Sequence, residues 1–300
     1  MIGVIMARGK ESLDDFYPLK KYGNLTTVRR TVLNFLQKGF DEIIVVVGEH
    51  GQEVEVQCAK MDVIFYQDEE YRSHTYLESV LKAIEHFSPE EDFIYTTVKT
   101  PFFQGNTLLD LMKEDSGIYI TYYGEEKGNI FRFPKNILSK LKDTQQETVE
   151  EAIDFLPEGF KKQMTNDPGV VYLPEQTIPK VIGEHNSQLL RSYVKVSIAR
   201  EHKFFGPGVR QLLKLIDVDG SVKNACQSMG MSYSKAWKMI KVMEEELGFE
   251  VIVRRPGGSS GGESYLTPEG KIFLEKYEQY ENLMRKESKK LFSEIFQEYN

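Results

Sequence analysis

Glu42-Ile43-Ile44-Val45-Val46-Val47-Gly48 holds five consecutive β-branched aliphatic residues with no polar alternation. A strand with one face in water would alternate apolar and polar, so this run belongs in a parallel sheet covered on both faces. Its surroundings agree. Upstream, Val28, Val32, Phe35 and Leu36 recur at helical spacing within 26–38, and Gly39 suits the C-cap of that helix. Residues 2–6 form an earlier apolar strand, followed by a loop holding Gly9. Downstream, 63–66 and 93–98 read as strands and 107–112 as a helix. Residues 76–87 form an amphipathic helix with Leu77, Val80, Leu81 and Ile84 on one face. Strand and helix alternate to about residue 120, which defines an α/β sheet with crossover connections. From 121 to 200 the pattern weakens: 137–141 and 149–155 have helical spacing, and 198–203 reads as a junction.

The 300 residues, 40% hydrophobic and 28% charged, are enough for two domain cores. No apolar run approaches the roughly 20 residues needed to span a bilayer. Met1 to Arg8 has no leading basic region, so no secretory signal is expected there. Cys58 and Cys226 are far apart and lack metal-ligand spacing, which fits ordinary thiols in a cytoplasmic protein. The net charge of −8 is unevenly placed: from Lys203 to Asn300 there are 15 basic and 14 acidic residues, so the acidity belongs to the front two-thirds. Nucleic-acid binding needs a local positive face, not a basic total.

After residue 203 helices dominate. Residues 210–216 form a first helix, broken at Asp219-Gly220. Ser221 caps a second over 222–229, Gly230 turns the chain, and Ser232 caps a longer third over 233–247 that Gly248 ends. A short helix, a glycine turn and a longer helix make a helix-turn-helix, whose second helix enters the major groove by its N-terminal residues. Here those are Ser232, Tyr233, Ser234, Lys235 and Lys238, with hydroxyls and ammoniums suited to bases and phosphates. Ala236, Trp237, Ile240, Val242 and Met243 are expected in the core. Residues 251–255 form a strand ending in Arg254 and Arg255, with Tyr265-Leu266 as the return strand of a hairpin wing. Gly257 and Gly258 in its tip would let backbone approach phosphate, and the arginines supply counter-charge.

Phe205-Gly206-Pro207-Gly208, Met231 through Trp237, Arg254-Arg255 with the glycine tip, and Leu266-Thr267-Pro268-Glu269-Gly270 occur in order. Over about 204–282 this resembles the DNA-binding domain of ModE-type molybdate-responsive regulators, related to LysR-type winged helices. The resemblance implies double-stranded DNA as partner and a homodimer through the long helix after Pro268. On that helix Phe273, Tyr277, Tyr280, Met284 and Leu291 step by four and three, with Glu287 interrupting. Packing on its own winged helix is the alternative for this stripe.

Over roughly 2–190, Met6-Ala7-Arg8-Gly9-Lys10, Pro18 through Gly23, and 41–48 resemble MobA-like nucleotidyltransferases, some of which attach CMP or GMP to molybdopterin. The implied fold is a Rossmann-like, GT-A-like nucleotidyltransferase sheet with ligand at the carboxyl ends of its strands. Arg8, Gly9, Lys10 and Lys99 are the nucleotide- or anion-binding candidates; a solvated loop with one structural glycine is the other reading of 8–10. The slots that carry the family's chemistry differ. The phosphate lysine expected before Pro18 is Tyr17. The metal carboxylate expected two residues before Pro101 is Lys99, and the second carboxylate region, after Asp167, reads Tyr172 and Pro174. An ammonium does not ligate Mg²⁺. Lys99 either binds an anion in the metal's place or pairs with an acidic neighbour, and His74 is expected as a capping or surface residue.

The expected architecture is therefore an α/β nucleotidyltransferase-like domain over 1–197, then a mainly α winged helix-turn-helix domain with a long C-terminal helix over 203–300. The expected function is cytoplasmic, DNA-binding transcription regulation, with no membrane segment. A degenerate sensor domain would take an unidentified small-molecule effector: a nucleotide or molybdopterin-like ligand held without Mg²⁺. No catalytic or metal-ligating residue is assigned. The alternatives are an active cytidylyl- or guanylyltransferase acting on molybdopterin with a DNA-binding tail, and a purely structural dimeric scaffold.

Overall fold

A computed structural model describes the chain apart from residues 10–12, 14–15, 41, 60, 88–89, 158, 188, 191, 230, 256–262 and 297–300. It divides into two compact units, with the division along the chain after Leu190.

The first unit opens with β1 (Ile2–Met6), a hairpin of β2 (Lys21–Tyr22) and β3 (Leu25–Thr26), then α1 (Thr27–Gln37), β4 (Ile43–Val47) and α2 (Gly51–Gln57). β5 (Ile64–Gln67), α3 (Tyr76–Phe87), β6 (Phe93–Thr97) and α4 (Gly105–Lys113) follow. β7 (Tyr119–Tyr123), β8 (Glu126–Phe133), α5 (Leu138–Asp143), α6 (Val149–Ala152), β9 (Lys161–Thr165) and α7 (Ile178–Ser187) complete it. Seven strands form one sheet in the order β5-β4-β1-β6-β8-β7-β9. β5, β4, β1 and β6 run parallel, β8 is antiparallel to β6 and β7, and β9 is parallel to β7.

The aliphatic run of β4 is explained by two cores. Ile43, Val45 and Val47 face the side closed by α1, α2 and α4, while Ile44 and Val46 face the side closed by α3, α5 and α6. The packing is tight at the centre: a Cβ at Gly3 of β1 would come within 2.5 Å of the Phe35 ring. The vaguely patterned stretch after 120 holds β7, β8, β9 and α7. In β7 the alternation is masked because Tyr119, Ile120, Thr121 and Tyr122 are all buried.

The second unit comprises β10 (Ile198–Ala199), β11 (Lys203–Phe205), α8 (Pro207–Asp219), α9 (Val222–Ser228), α10 (Tyr233–Leu247), β12 (Ile252–Arg255), β13 (Glu263–Leu266) and the 28-residue α11 (Pro268–Ile295). The stretch expected as a junction, 198–203, is instead a small hairpin. The Tyr277 hydroxyl donates to the Val196 carbonyl at 2.9 Å, so this leading segment is bound into the second unit.

α11 is divided in its contacts. Its first half is fastened to α8: Glu281, fully buried, pairs with Arg210 at 3.1 Å and Arg285 at 3.3 Å, and Lys271 pairs with Asp217 at 2.9 Å. Tyr277 packs on Phe205 within the unit, so it leaves the expected dimer stripe. Beyond Tyr277, Tyr280, Leu283, Met284, Leu291 and Ile295 are exposed.

Candidate functional site

The parallel strands β1, β4, β5 and β6 bring their carboxyl ends to one edge of the sheet, where such folds bind ligands. Arg8, two residues beyond β1, points inward. Its guanidinium donates to the carbonyls of Thr75 at 3.0 Å and His74 at 2.6 Å, and to Ser79 Oγ, and lies 3.4 Å from the Asp68 carboxylate. It also stacks 4.6 Å from the Tyr76 ring centroid. Arg8 therefore fastens the end of β1 to the start of α3. Its charge faces Asp68, not an incoming phosphate, and this corrects its assignment as an anion ligand. Gly9 is buried beside it; Lys10 lies outside the described residues.

Asp68 follows β5 and gathers this cluster. Its carboxylate accepts from Ser79 Oγ, from the Glu70 amide at 3.1 Å and from His74 Nδ1 at 2.8 Å. The other His74 nitrogen lies 2.9 Å from Glu70 and 2.6 Å from Lys82. His74 is thus a partly buried link between the buried Asp68 and the exposed Glu70 and Lys82, not the surface or capping residue expected. Its position just past a strand end was the signal available for Asp68.

The three altered slots converge at the same edge. The Tyr17 hydroxyl donates to the Lys99 carbonyl at 3.4 Å. Burial pushes that phenol far above its ordinary range, with Tyr22, Tyr172 and Glu175 adding to the effect. Lys20 lies over the rings of Tyr17 and Tyr22 at 5.7 and 5.4 Å and pairs with Glu175. Lys99 is exposed, and its ammonium makes no hydrogen bond or ion pair among the described residues. Glu150 feels it electrostatically; burial raises that carboxyl, and hydrogen bonds and Lys99 pull the other way. Asp167 is fully engaged: it accepts from Gln104 N at 2.6 Å, Thr107 Oγ1 at 2.7 Å and Gly169 N at 2.9 Å, capping α4 and the turn at 168–170. Among the described residues no three His, Cys, Asp or Glu side chains are grouped to hold a metal.

In the second unit, Ser232 caps α10 by accepting from Lys235 N at 3.3 Å. Ser232, Tyr233, Ser234, Lys235 and Lys238 are all exposed, while Ala236, Ile240 and Met243 turn into the core. Two expected core residues do not join them. Val242 is exposed. Trp237 is half-buried, because its face of α10 meets Tyr233 and the wing instead of the core. There the Arg254 guanidinium lies 3.3 Å from the Trp237 ring centroid. Glu244, further along α10, accepts from the amides of Val251 at 2.7 Å and Ile252 at 3.2 Å. β12 pairs antiparallel with β13, and the Ser264 amide donates to the Gly220 carbonyl at 2.8 Å, so the hairpin is tied to both α10 and α8. Gly257, Gly258 and the Arg255 side chain lie outside the described residues.

Comparison with known proteins agrees with this division. Residues 17–158 match the family model described as the MobA-like NTP transferase domain, and 211–271 match that of the bacterial regulatory helix-turn-helix protein, lysR family. The chain thus joins a nucleotidyltransferase-type sheet domain to a LysR-type helix-turn-helix. More particularly, part of the chain is similar to the molybdenum-pterin-binding protein MopB of Rhodobacter capsulatus, 36% identical over 66 residues, 22% of this chain and 24% of MopB. It is also similar to the DNA-binding transcriptional dual regulator ModE of Escherichia coli K12, 26% identical over 98 residues, 32% of this chain and 37% of ModE. The chain thus spans about a quarter and about a third of these relatives. A nucleotidyl transferase from Methanothermobacter shares the fold of the sheet, with a TM-score of 0.51 at 17% identity, covering 61% of this chain and 96% of that one.

Proposed function

We propose that this chain is a DNA-binding transcriptional regulator tied to molybdenum metabolism, with a sensor within 1–197 and a DNA reader within 203–300. The observation that carries the reading is the exposed start of α10, Ser232 through Lys238, set beside an arginine-bearing wing. Hydroxyls and ammoniums at that helix end suit base edges and phosphates. The exposed apolar stripe on α11 supports a homodimer, which would give the two-fold arrangement that palindromic operators need.

In the sensor, the donors at the family's metal slots do not fit Mg²⁺: Lys99 is an ammonium and Tyr172 an exposed phenol, while the phosphate-lysine slot holds Tyr17, a phenol kept neutral by burial. The same edge suits an anionic effector, a nucleotide or a molybdopterin-like ligand, taken without metal in a cytoplasmic protein. Two measurements test the proposal. The purified chain is expected to retain specific duplexes from a fragment library, with affinity falling steeply as salt rises; a chain that retains no duplex overturns the regulator. Incubation with CTP or GTP, Mg²⁺ and molybdopterin is expected to give no transfer product. Robust turnover would establish the transferase alternative in place of the sensor.

A further inference from the structure

Trp237 is the chain's one tryptophan, and it lies on the face of α10 that meets β12. That contact is fixed at two points. At the base of the wing, Glu244 accepts the amides of Val251 and Ile252. Two turns earlier on α10, the Trp237 ring carries the Arg254 guanidinium at 3.3 Å, a face-on approach. Tyr233 also meets the indole in a T-shaped contact, with ring centroids 6.0 Å apart. Arg254 is exposed and has no carboxylate partner among the described residues, so the indole face is what orients it. A guanidinium stacked on a ring keeps its in-plane donors available, and those donors match a phosphate bidentately.

We infer that Trp237 is a positioning residue for DNA binding: it holds Arg254 at the junction of recognition helix and wing, so that the arginine meets the DNA backbone already oriented. The two side chains then act as one unit. This rests on the DNA-binding reading above and adds a residue that the sequence pattern assigns to the core.

The experiment is a double-mutant cycle on the full chain, with affinity for a retained duplex measured against salt. Arg254→Ala is expected to weaken binding on the order of tenfold and to reduce the salt slope by about 0.9, the loss of one phosphate contact. Trp237→Ala is expected to reduce the slope by the same amount although it removes no charge, and the double variant to bind no worse than Arg254→Ala. Trp237→Phe, which still offers a ring face, is expected to retain most of the affinity. Should Trp237→Ala fail to fold, the tryptophan emission of the unaltered chain serves as readout: Arg254→Ala is expected to shift it to the red by uncovering the indole. Additive losses, a salt slope unmoved by Trp237→Ala, or an emission unmoved by Arg254→Ala each overturn this inference while leaving DNA binding intact. Failure of the unaltered chain to bind any duplex overturns both.

Discussion

Arg30 is wholly buried on α1 and has no carboxylate partner among the described residues. Its guanidinium meets His185 Nδ1 at 3.0 Å, Asn186 Oδ1 at 2.6 Å and the Tyr22 carbonyl at 2.9 Å. Burial lowers Arg30 only to about 10, so it stays charged at neutral pH. His185 is pushed down from 6.5 to about 4, by burial first and then by Arg30. Between these values the unfolded chain binds a proton that the native chain refuses. The stability contribution is therefore complete above pH 6.5 and is lost as pH falls towards 4, by up to about 1.4 kcal/mol per unit. Urea unfolding at pH 7, 6 and 5 should show this decline, and His185→Gln should flatten it. A stability unchanged from pH 7 to 5 would mean that His185 is not held neutral. Such residues explain where sequence reading fell short. Nothing in 26–38 distinguishes Arg30 from a surface arginine, because its partners His185 and Asn186 lie over 150 positions away. Arg8 was legible as an unusual residue after a strand but not as the partner of Asp68, for the same reason.

Helices and strands were far more legible than side-chain partners, since periodicity is local. α3 was read at its observed bounds and α1 and β4 within a residue at either end. α11 shows the limit of that approach. The four-three spacing placed one stripe along it, yet the structure uses the stripe twice, for intramolecular packing at Tyr277 and for solvent exposure from Tyr280 onward. Spacing alone does not say which neighbour a face meets. Glu281 marks the change. A fully buried carboxylate held by two arginines is strongly destabilising to break, because the remaining charges are left uncompensated. Glu281→Ala is expected to cost about 3–5 kcal/mol in the second unit, read by chemical denaturation. A loss below 1 kcal/mol would place this network outside the forces that fasten α11 to α8.

At the scale of the molecule, two units with separate cores are joined in one chain, and a pair of chains is the proposed working form. Tyr280→Glu sets a charge in the exposed stripe without touching Tyr277 or Glu281. Sedimentation at micromolar concentration is expected to show a dimer for the unaltered chain and a monomer for the variant, with DNA affinity reduced; a dimer in both would move the contact elsewhere. The units also differ in how their parts are distributed along the chain. In the second, α8, α9 and α10 are consecutive and pack on one another. In the first, β1 is the earliest segment and yet lies inside the sheet, between β4 and β6. During synthesis β1 leaves the ribosome with both hydrogen-bonding edges bare. One waits for Ile43 and the other for Phe93. At roughly 5–20 residues per second, the second edge stays open for about 5–20 s after β1 is made. The first unit is thus committed to a long nascent stage with an apolar strand half paired, and it is this unit, not the DNA reader, whose yield in the cell should depend on chaperones and on the rate of translation through residues 40–100.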